Sequence, residues 1–108
     1  VTWRSLLRWS KAMRLTAQQT EGIVALLHKQ WGDVSSVWLF GSRLDDRKQG
    51  GDVDLLVELP SSVPLIEKYL LQDKLEQFLG VRVDLLLSTL DQKTTAFVEY
   101  VKQIGVKL

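Results

Sequence analysis

Three aspartates in the middle of the chain are the side chains whose type and spacing suggest chemistry. Asp52 and Asp54 stand two residues apart at the start of an apolar segment, and Asp84 lies within a second such segment, Val81 to Leu87. Residues i and i+2 of a strand point to the same face, so Asp52 and Asp54 are predicted to lie side by side. Carboxylates in an apolar strand are costly unless they are paired or bind a cation. Mg²⁺ fits, because it takes carboxylate oxygens together with substrate phosphates.

A glycine-serine pair precedes these carboxylates. Gly41-Ser42 follows the apolar run Val37 to Phe40, and nine residues separate Ser42 from Asp52. A glycine lets the backbone approach a phosphate closely, and the neighbouring serine hydroxyl can donate to a phosphate oxygen. The turn and the carboxylates together predict a nucleotide–metal site. An ordinary turn before a polar strand start is the alternative, and three acids on two apolar strands argue against it.

The order of these residues carries a family resemblance. Gly41-Ser42, nine intervening residues and Asp52-Val53-Asp54 resemble the signature of the nucleotidyltransferase fold, the DNA polymerase β superfamily. With Asp84 as a third acid and a chain of only 108 residues, the protein is similar to the minimal nucleotidyltransferases that serve as antitoxins to HEPN-domain toxins. The resemblance covers Thr16 to about Ile104.

The resemblance implies a reaction and its cofactor. The expected activity is transfer of AMP from ATP to a hydroxyl, with two Mg²⁺ ions held by Asp52, Asp54 and Asp84, and with Asp84 as a candidate general base. Two magnesium ions would stabilise the attacking and leaving oxygens together. Arginine guanidinium groups match phosphate oxygens well. The predicted nucleotide-binding residues are Gly41, Ser42, Arg43 and Arg47.

The acceptor is expected to come from another protein. The chain shows no obvious second domain of the kind that selects acceptors in larger relatives, so the resemblance points to a tyrosine of a partner HEPN toxin. Two alternatives stay open. One is a small-molecule nucleotidyltransferase whose homodimer forms the acceptor pocket, and the other is a non-catalytic module of the same fold that neutralises its partner by contact.

Composition narrows the class of protein. The net charge is only +1 and no basic stripe is obvious in the sequence, so direct nucleic-acid binding is not expected. No apolar run approaches the ~18 residues of a membrane-spanning helix, so no membrane association is expected. The absence of cysteine excludes a disulfide scaffold and is consistent with a cytoplasmic protein.

The elements around these motifs predict an α/β (α+β) domain. We expect a small mixed sheet, with helices packed on one face and the acids on the other. The first helix is predicted over Thr16 to Trp31, with Thr16 and Gln19 as a capping box. The first two strands, Ser36 to Phe40 and Asp52 to Leu59, are predicted to be antiparallel because their connection is short.

The second half is predicted to hold a long helix, a third strand and a last helix. The long helix ends at Gly80, and the third strand covers Val81 to Leu87. A second capping box, Thr89 to Gln92, predicts that the last helix begins at 88–91. Val106 to Leu108 is expected to be a short edge strand or to fray. The apolar stripe of the long helix is predicted to be Leu65, Ile66, Tyr69, Leu70, Leu75, Phe78 and Leu79.

Three remaining features have plainer interpretations. Residues 1–15 are expected to be a short helix or an extension before a domain at 16–108. His28, the only histidine, is interpreted as solvated rather than catalytic. Arg82 is two residues from Asp84 and is therefore predicted on the same strand face, where it would balance the acids, contact a phosphate or be a plain edge charge.

Overall fold

The structure, a computed structural model, describes residues 15–40 and 53–108. The elements follow in the order α1, β1, β2, α2, β3, α3, β4. Their bounds are α1 Ala17–Trp31, β1 Ser36–Phe40, β2 Val53–Leu59, α2 Leu65–Leu79, β3 Val83–Thr89, α3 Ala96–Ile104 and β4 Val106–Lys107.

The strands form one mixed sheet in the order β3-β2-β1-β4. β1 is antiparallel to β2 and to β4, whereas β2 and β3 are parallel and are joined through α2. A parallel pair needs such a crossover, because the chain has to return to the same end of the sheet. The predicted α/β class, the antiparallel first pair and the short edge strand at Val106 are confirmed.

The main core lies between one face of the sheet and the helices α1 and α2. Alternate strand residues such as Leu39, Leu55 and Val57 are fully buried there, and Ile23 of α1 and Leu75 of α2 pack against them. Strand side chains alternate between faces, so every second residue of each strand contributes to this layer. Burial of this apolar area is the main force that fixes the sheet.

The third helix corrects the expectation that the helices pack on one face. Val98 and Val101 of α3 form a second, smaller cluster with Leu56, which neighbours Leu55 and therefore points to the opposite face. Trp38 and Leu86 pack against this cluster. The centre of the sheet is apolar on both sides, so both sides need cover. α1 and α2 lie on one face as predicted, and α3 lies on the face that carries the acids.

Local signals at α1 act as predicted. The Gln19 backbone N–H donates to Thr16 Oγ1 at 3.0 Å, and the Gln19 side chain accepts from the Thr16 backbone N–H at 2.9 Å. Gly32 ends the helix with a positive φ of 69°, a conformation that glycine adopts readily. His28 is exposed, with Nδ1 2.7 Å from the Gly32 carbonyl oxygen, in agreement with its interpretation as a solvated residue.

The buried face of α2 differs from the predicted stripe. Leu71 and Leu75, which are four residues apart, are fully buried, and Leu71 is not in that stripe. Most of the predicted stripe is at least two-fifths exposed. The helix is apolar on more than one side, so helical spacing alone does not select the side that meets the sheet. The exposed members are Leu65, Ile66, Tyr69, Leu70 and Phe78.

The predicted start of the last helix is wrong. Ser88 and Thr89 continue β3, because they pair with Glu58 and Leu59 of the parallel neighbour. The Thr89-to-Gln92 segment is a turn, and α3 begins only at Ala96. There Thr95 Oγ1 accepts from the Val98 backbone N–H at 3.2 Å and caps the helix. Strand pairing therefore outweighs the local capping motif.

The predicted N-terminal segment lies almost wholly outside the described residues. Of the predicted N-terminal segment 1–15, only Leu15 lies within the described residues, and it is buried in the main core. The division of the chain at residue 16 stays a prediction.

Across residues 15–40 and 53–108, the helices are too short or too polar to cross a membrane.

Candidate active site

The parallel pairing of β2 with β3 brings two of the predicted acids together. Asp54 and Asp84 are direct register partners, and neighbouring strands lie about 4.8 Å apart. Equal register in a parallel pair directs both side chains to the same face of the sheet. Residues thirty positions apart in the sequence thus become register partners on one face of the sheet. The spacing of the sequence predicted only that Asp52 and Asp54 lie side by side, and Asp84 was linked to them by the family resemblance.

The two carboxylates line an open pocket of about 290 Å³ with an aromatic wall. Phe40 is the register partner of Asp54 on β1, and Phe97 comes from the first turn of α3. The two rings meet edge to face, with centroids 6.3 Å apart and planes at 80°. This is a favourable aromatic geometry and helps to hold the Phe97 ring beside the acids. Leu85 and Leu86 complete the lining.

Solvent exposure differs between the two acids. Asp54 is half-buried on the inner strand β2, and Asp84 is exposed on the edge strand β3. The sequence argument assigned Asp84 a desolvation cost because its neighbours are apolar. The structure corrects this, since Val83 and Leu85 point to the face that α1 and α2 cover, while Asp84 is exposed to solvent. A hydrated cation and a large acceptor can therefore both reach it.

The remaining predicted site residues lie outside the described part of the chain. Gly41, Ser42, Arg43, Arg47 and Asp52 fall in the segment 41–52, between the last residue of β1 and the first residue of β2. Their predicted roles stay predictions. Within the described residues, no cluster of three or more metal-ligating side chains occurs.

The two described acids nevertheless fit the expected cation. Adjacent carboxylates offer hard oxygen donors, and Mg²⁺ is usually bound by one or two carboxylates, with water and phosphate completing its shell. Asp54 and Asp84 supply that number, and the pocket is open enough to admit the phosphates. The donor set of this pocket is thus compatible with magnesium.

Arg82 contributes through its backbone. Its carbonyl oxygen accepts from the Val53 backbone N–H at 2.8 Å, which fastens the start of β2 to the residue before β3, close to both acids. This bond helps to hold Asp54 and Asp84 in register. The Arg82 residue is exposed, and the phosphate or charge-balancing role predicted for its side chain stays a prediction.

Glu58 is a structural residue that the sequence analysis missed. It is only 7% exposed, and it accepts hydrogen bonds from the Ser36 hydroxyl and from Lys102 Nζ, the latter at 3.1 Å. The Ser36 oxygen in turn accepts from Trp38 Nε1 at 2.9 Å. Alternation along β2 offered a signal, since Glu58 lies four residues after Asp54 and hence on the same face.

The Glu58 network connects α3 to the sheet. Burial by itself raises the pKa of Glu58, but the hydrogen bonds from Ser36 and Lys102, together with the Lys102 charge, outweigh burial and lower the pKa below its usual range. Glu58 is therefore ionised near neutral pH. Lys102 belongs to α3, the helix that also supplies Phe97 to the pocket. The ion pair thus positions one wall of the candidate site.

Comparisons with known proteins agree with this geometry. The nucleotidyltransferase domain family matches residues 21–107. No curated protein matches the chain at a significant level. Among solved structures, one similar chain belongs to the complex of a tri-AMPylated Shewanella oneidensis HEPN toxin with its minimal nucleotidyltransferase antitoxin. The two chains share 23% identity with a TM-score of 0.65, over 83% of this chain and 68% of the other.

Two further structures are similar at slightly higher identity. A toxin–antitoxin structure with AMP-PNP shares 25% identity with a TM-score of 0.68, over 81% of this chain and 69% of the other. A structure solved as a candidate minimal nucleotidyltransferase shares 28% identity with a TM-score of 0.62, over 85% and 90% of the two chains. The shared fold and the family match over most of the chain confirm the resemblance. The chain therefore belongs to the nucleotidyltransferase domain family.

Proposed function

We propose that this protein transfers AMP from ATP to a tyrosine hydroxyl of a partner HEPN toxin and thereby acts as its antitoxin. The observation that carries the proposal is the pairing of Asp54 with Asp84 in one open pocket of a nucleotidyltransferase domain. The similar chain in complex with a tri-AMPylated toxin supports the choice of acceptor, and the similar structure with AMP-PNP supports the choice of nucleotide.

The proposed reaction is an in-line displacement at the α-phosphorus. The acceptor oxygen forms a bond to this phosphorus, the bond to the oxygen that bridges the α- and β-phosphates breaks, and pyrophosphate leaves. Asp54 and Asp84, with Asp52, are proposed to hold magnesium. The bound metal would supply Lewis-acid stabilisation of phosphate charge and lower the pKa of the acceptor hydroxyl.

The chain's own residues have distinct proposed tasks. Asp84 is the exposed acid of the pair, so its carboxylate is the better placed to receive the acceptor proton. Asp54 is half-buried on the inner strand and held in register by the paired strands on both sides. We assign the phosphates to Gly41, Ser42, Arg43 and Arg47, as the sequence motif predicts.

The exposure of the site suits an acceptor carried by a macromolecule. Asp84 lies on the edge strand of the sheet, where the described elements leave it open to solvent. A tyrosine on the surface of a folded toxin needs such open access. The lack of cysteine agrees with a cytoplasmic reaction, which is the location we propose.

The direct test is AMP transfer to the purified partner toxin. Wild-type protein, Asp54→Asn, Asp84→Asn and the control Asp91→Asn would be incubated with the toxin, ATP and Mg²⁺, and the toxin mass measured. Asp91 is exposed in the turn after β3 and does not line the acid pocket, so it controls for loss of an aspartate charge.

We expect the wild type and Asp91→Asn to add whole AMP units to the toxin, and the two site variants to add none. If the site variants still neutralise the toxin and the wild type adds no AMP, the protein acts by contact alone. A stable homodimer that modifies a small molecule instead would support the other alternative. Solution mass together with a screen of hydroxyl-bearing small molecules distinguishes that case.

A further inference from the structure

A second cavity lies next to the acid pocket, where β2 and β3 end and α3 begins. Its volume is about 370 Å³, within the range of sites that hold small organic ligands. Leu86 and Phe97 line both this cavity and the acid pocket. The two spaces are therefore neighbours, with the Phe97 ring between them.

The lining of this cavity combines an apolar base with polar walls. Leu59, Leu87 and Val98 supply the apolar contacts. Among the described residues that line the cavity, Lys93 is the one charged side chain, so none of these residues presents a carboxylate that would repel an anionic ligand. The walls present hydroxyl and amide groups from Ser62, Ser88, Thr89, Gln92 and Thr95.

Phe97 stands at the junction of the two spaces with much of its ring uncovered. The Phe97 side chain is 53% exposed. The edge-to-face contact with Phe40 fixes the orientation of the ring and leaves the rest of its surface available. An exposed, oriented aromatic face is what a nucleobase stacks on, and such stacking tolerates any base because every base has a π-face.

We propose that this cavity binds the nucleoside part of the nucleoside triphosphate, with the base stacked on Phe97 and Gln92 paired to the base edge. The inference rests on the proposed function, because it takes the phosphates to be held at Asp54 and Asp84. A nucleotide anchored there must extend its sugar and base into adjoining space. A glutamine amide can pair with adenine through one donor and one acceptor, and the hydroxyl groups suit a ribose.

The polar walls of this cavity favour a nucleoside over the acceptor side chain as its occupant. A nucleoside offers hydrogen-bonding groups on both the sugar and the base, which match several hydroxyls and an amide. A tyrosine side chain offers a single hydroxyl, and that hydroxyl has to lie at the acids rather than in the cavity. The acceptor thus leaves these groups unmatched, whereas the nucleoside uses them.

The test separates the nucleoside from its phosphates. ATP and inorganic tripolyphosphate, each with Mg²⁺, would be titrated calorimetrically into the wild type, Phe97→Ala and Gln92→Ala. Tyr100→Ala is the matched control, because Tyr100 is an aromatic of the same helix, 55% exposed, and lines neither cavity. Thermal melting of each variant shows that it is folded.

We expect Phe97→Ala to weaken ATP binding about tenfold, as loss of one base–aromatic stack predicts, while tripolyphosphate binding stays unchanged. CTP with Mg²⁺ is titrated in the same way, and Gln92→Ala should weaken the binding of ATP more than the binding of CTP. Equal ATP affinity in the wild type and in both variants overturns the inference and leaves the proposed function standing. A wild-type protein that binds neither ATP nor tripolyphosphate overturns both, so the two failures are distinguishable.

Discussion

Removal of the Lys102 charge tests whether the Glu58 network holds α3 on the sheet. Lys102→Met keeps most of the aliphatic stem but removes the hydrogen bond from Nζ to the Glu58 carboxylate, which retains the bond from the Ser36 hydroxyl. Breaking a fully buried ion pair costs about 3–5 kcal/mol. The Lys102 side chain is 38% exposed, so solvent screens part of this. We expect a loss of about 1–2 kcal/mol, or about 5–10 °C in Tm for a domain of this size.

Lys107→Met is the matched control for this substitution. Both lysines lie over the Trp38 ring, with Nζ 5.8 Å from the centroid for Lys102 and 5.9 Å for Lys107, but only Lys102 bonds to Glu58. Loss of an exposed cation–π contact should cost about 0.5 kcal/mol. Urea denaturation followed by tryptophan fluorescence measures both variants. Equal destabilisation by the two substitutions would refute the assigned role of the ion pair.

The pH dependence gives a second check on the same network. The pKa of Glu58 is lowered in the folded state, so the unfolded chain binds its proton more readily. The stabilisation is therefore complete above the unfolded-state pKa of about 4.3 and is lost as the pH falls through the lower, folded-state pKa. Wild type should be more stable than Glu58→Gln at pH 7, and the gap should narrow below about pH 4. A gap that does not change with pH would show that the charge of Glu58 contributes nothing.

Three further substitutions test the site and the packing. Asp84→Asn removes a like charge beside Asp54, so without metal it should raise the free energy of unfolding by a few tenths of a kcal/mol. The same substitution should abolish AMP transfer. A lower stability in urea denaturation would contradict the like-charge argument. Leu71→Ala should lower the free energy of unfolding by about 2–5 kcal/mol, whereas Leu70→Ala, at a side chain that is 52% exposed, should lower it little. Comparable losses in thermal melts would mean that the buried face of α2 is misassigned. Gly105→Ala should destabilise because a Cβ there lies 2.7 Å from the Val101 carbonyl oxygen and 2.9 Å from that of Leu39; a Tm equal to wild type would show that the backbone yields at this point.

Short-range sequence signals were enough to predict the secondary structure in the first half of the described chain. The capping box at Thr16, the stop at Gly32 and the apolar run of β1 involve neighbours within a few residues, and all are observed as predicted. The same kind of signal failed at Thr89, because strand pairing with Leu59 used the residues that a capping box would have needed. A motif of four residues does not reveal a pairing partner thirty positions away.

The acids show how far the candidate site could be predicted. Alternation predicted which face of β2 carries Asp54, and the family resemblance pointed to Asp84 as a partner. Glu58 shares the strand face of Asp54, yet its role was missed. Its donors Ser36 and Lys102 are 22 and 44 residues away in the sequence and meet it only in the folded sheet.

Residue type and spacing alone established the family motif, the α/β class and the acidic character of the site, because each depends on short-range periodicity or on side-chain chemistry. Tertiary structure decided three matters that depend on long-range packing. It selected Leu71 and Leu75 as the buried face of α2, it placed α3 on the side of the acids, and it left Asp84 in solvent at the sheet edge. The physical reason is that burial depends on what packs against a surface, which no local pattern specifies.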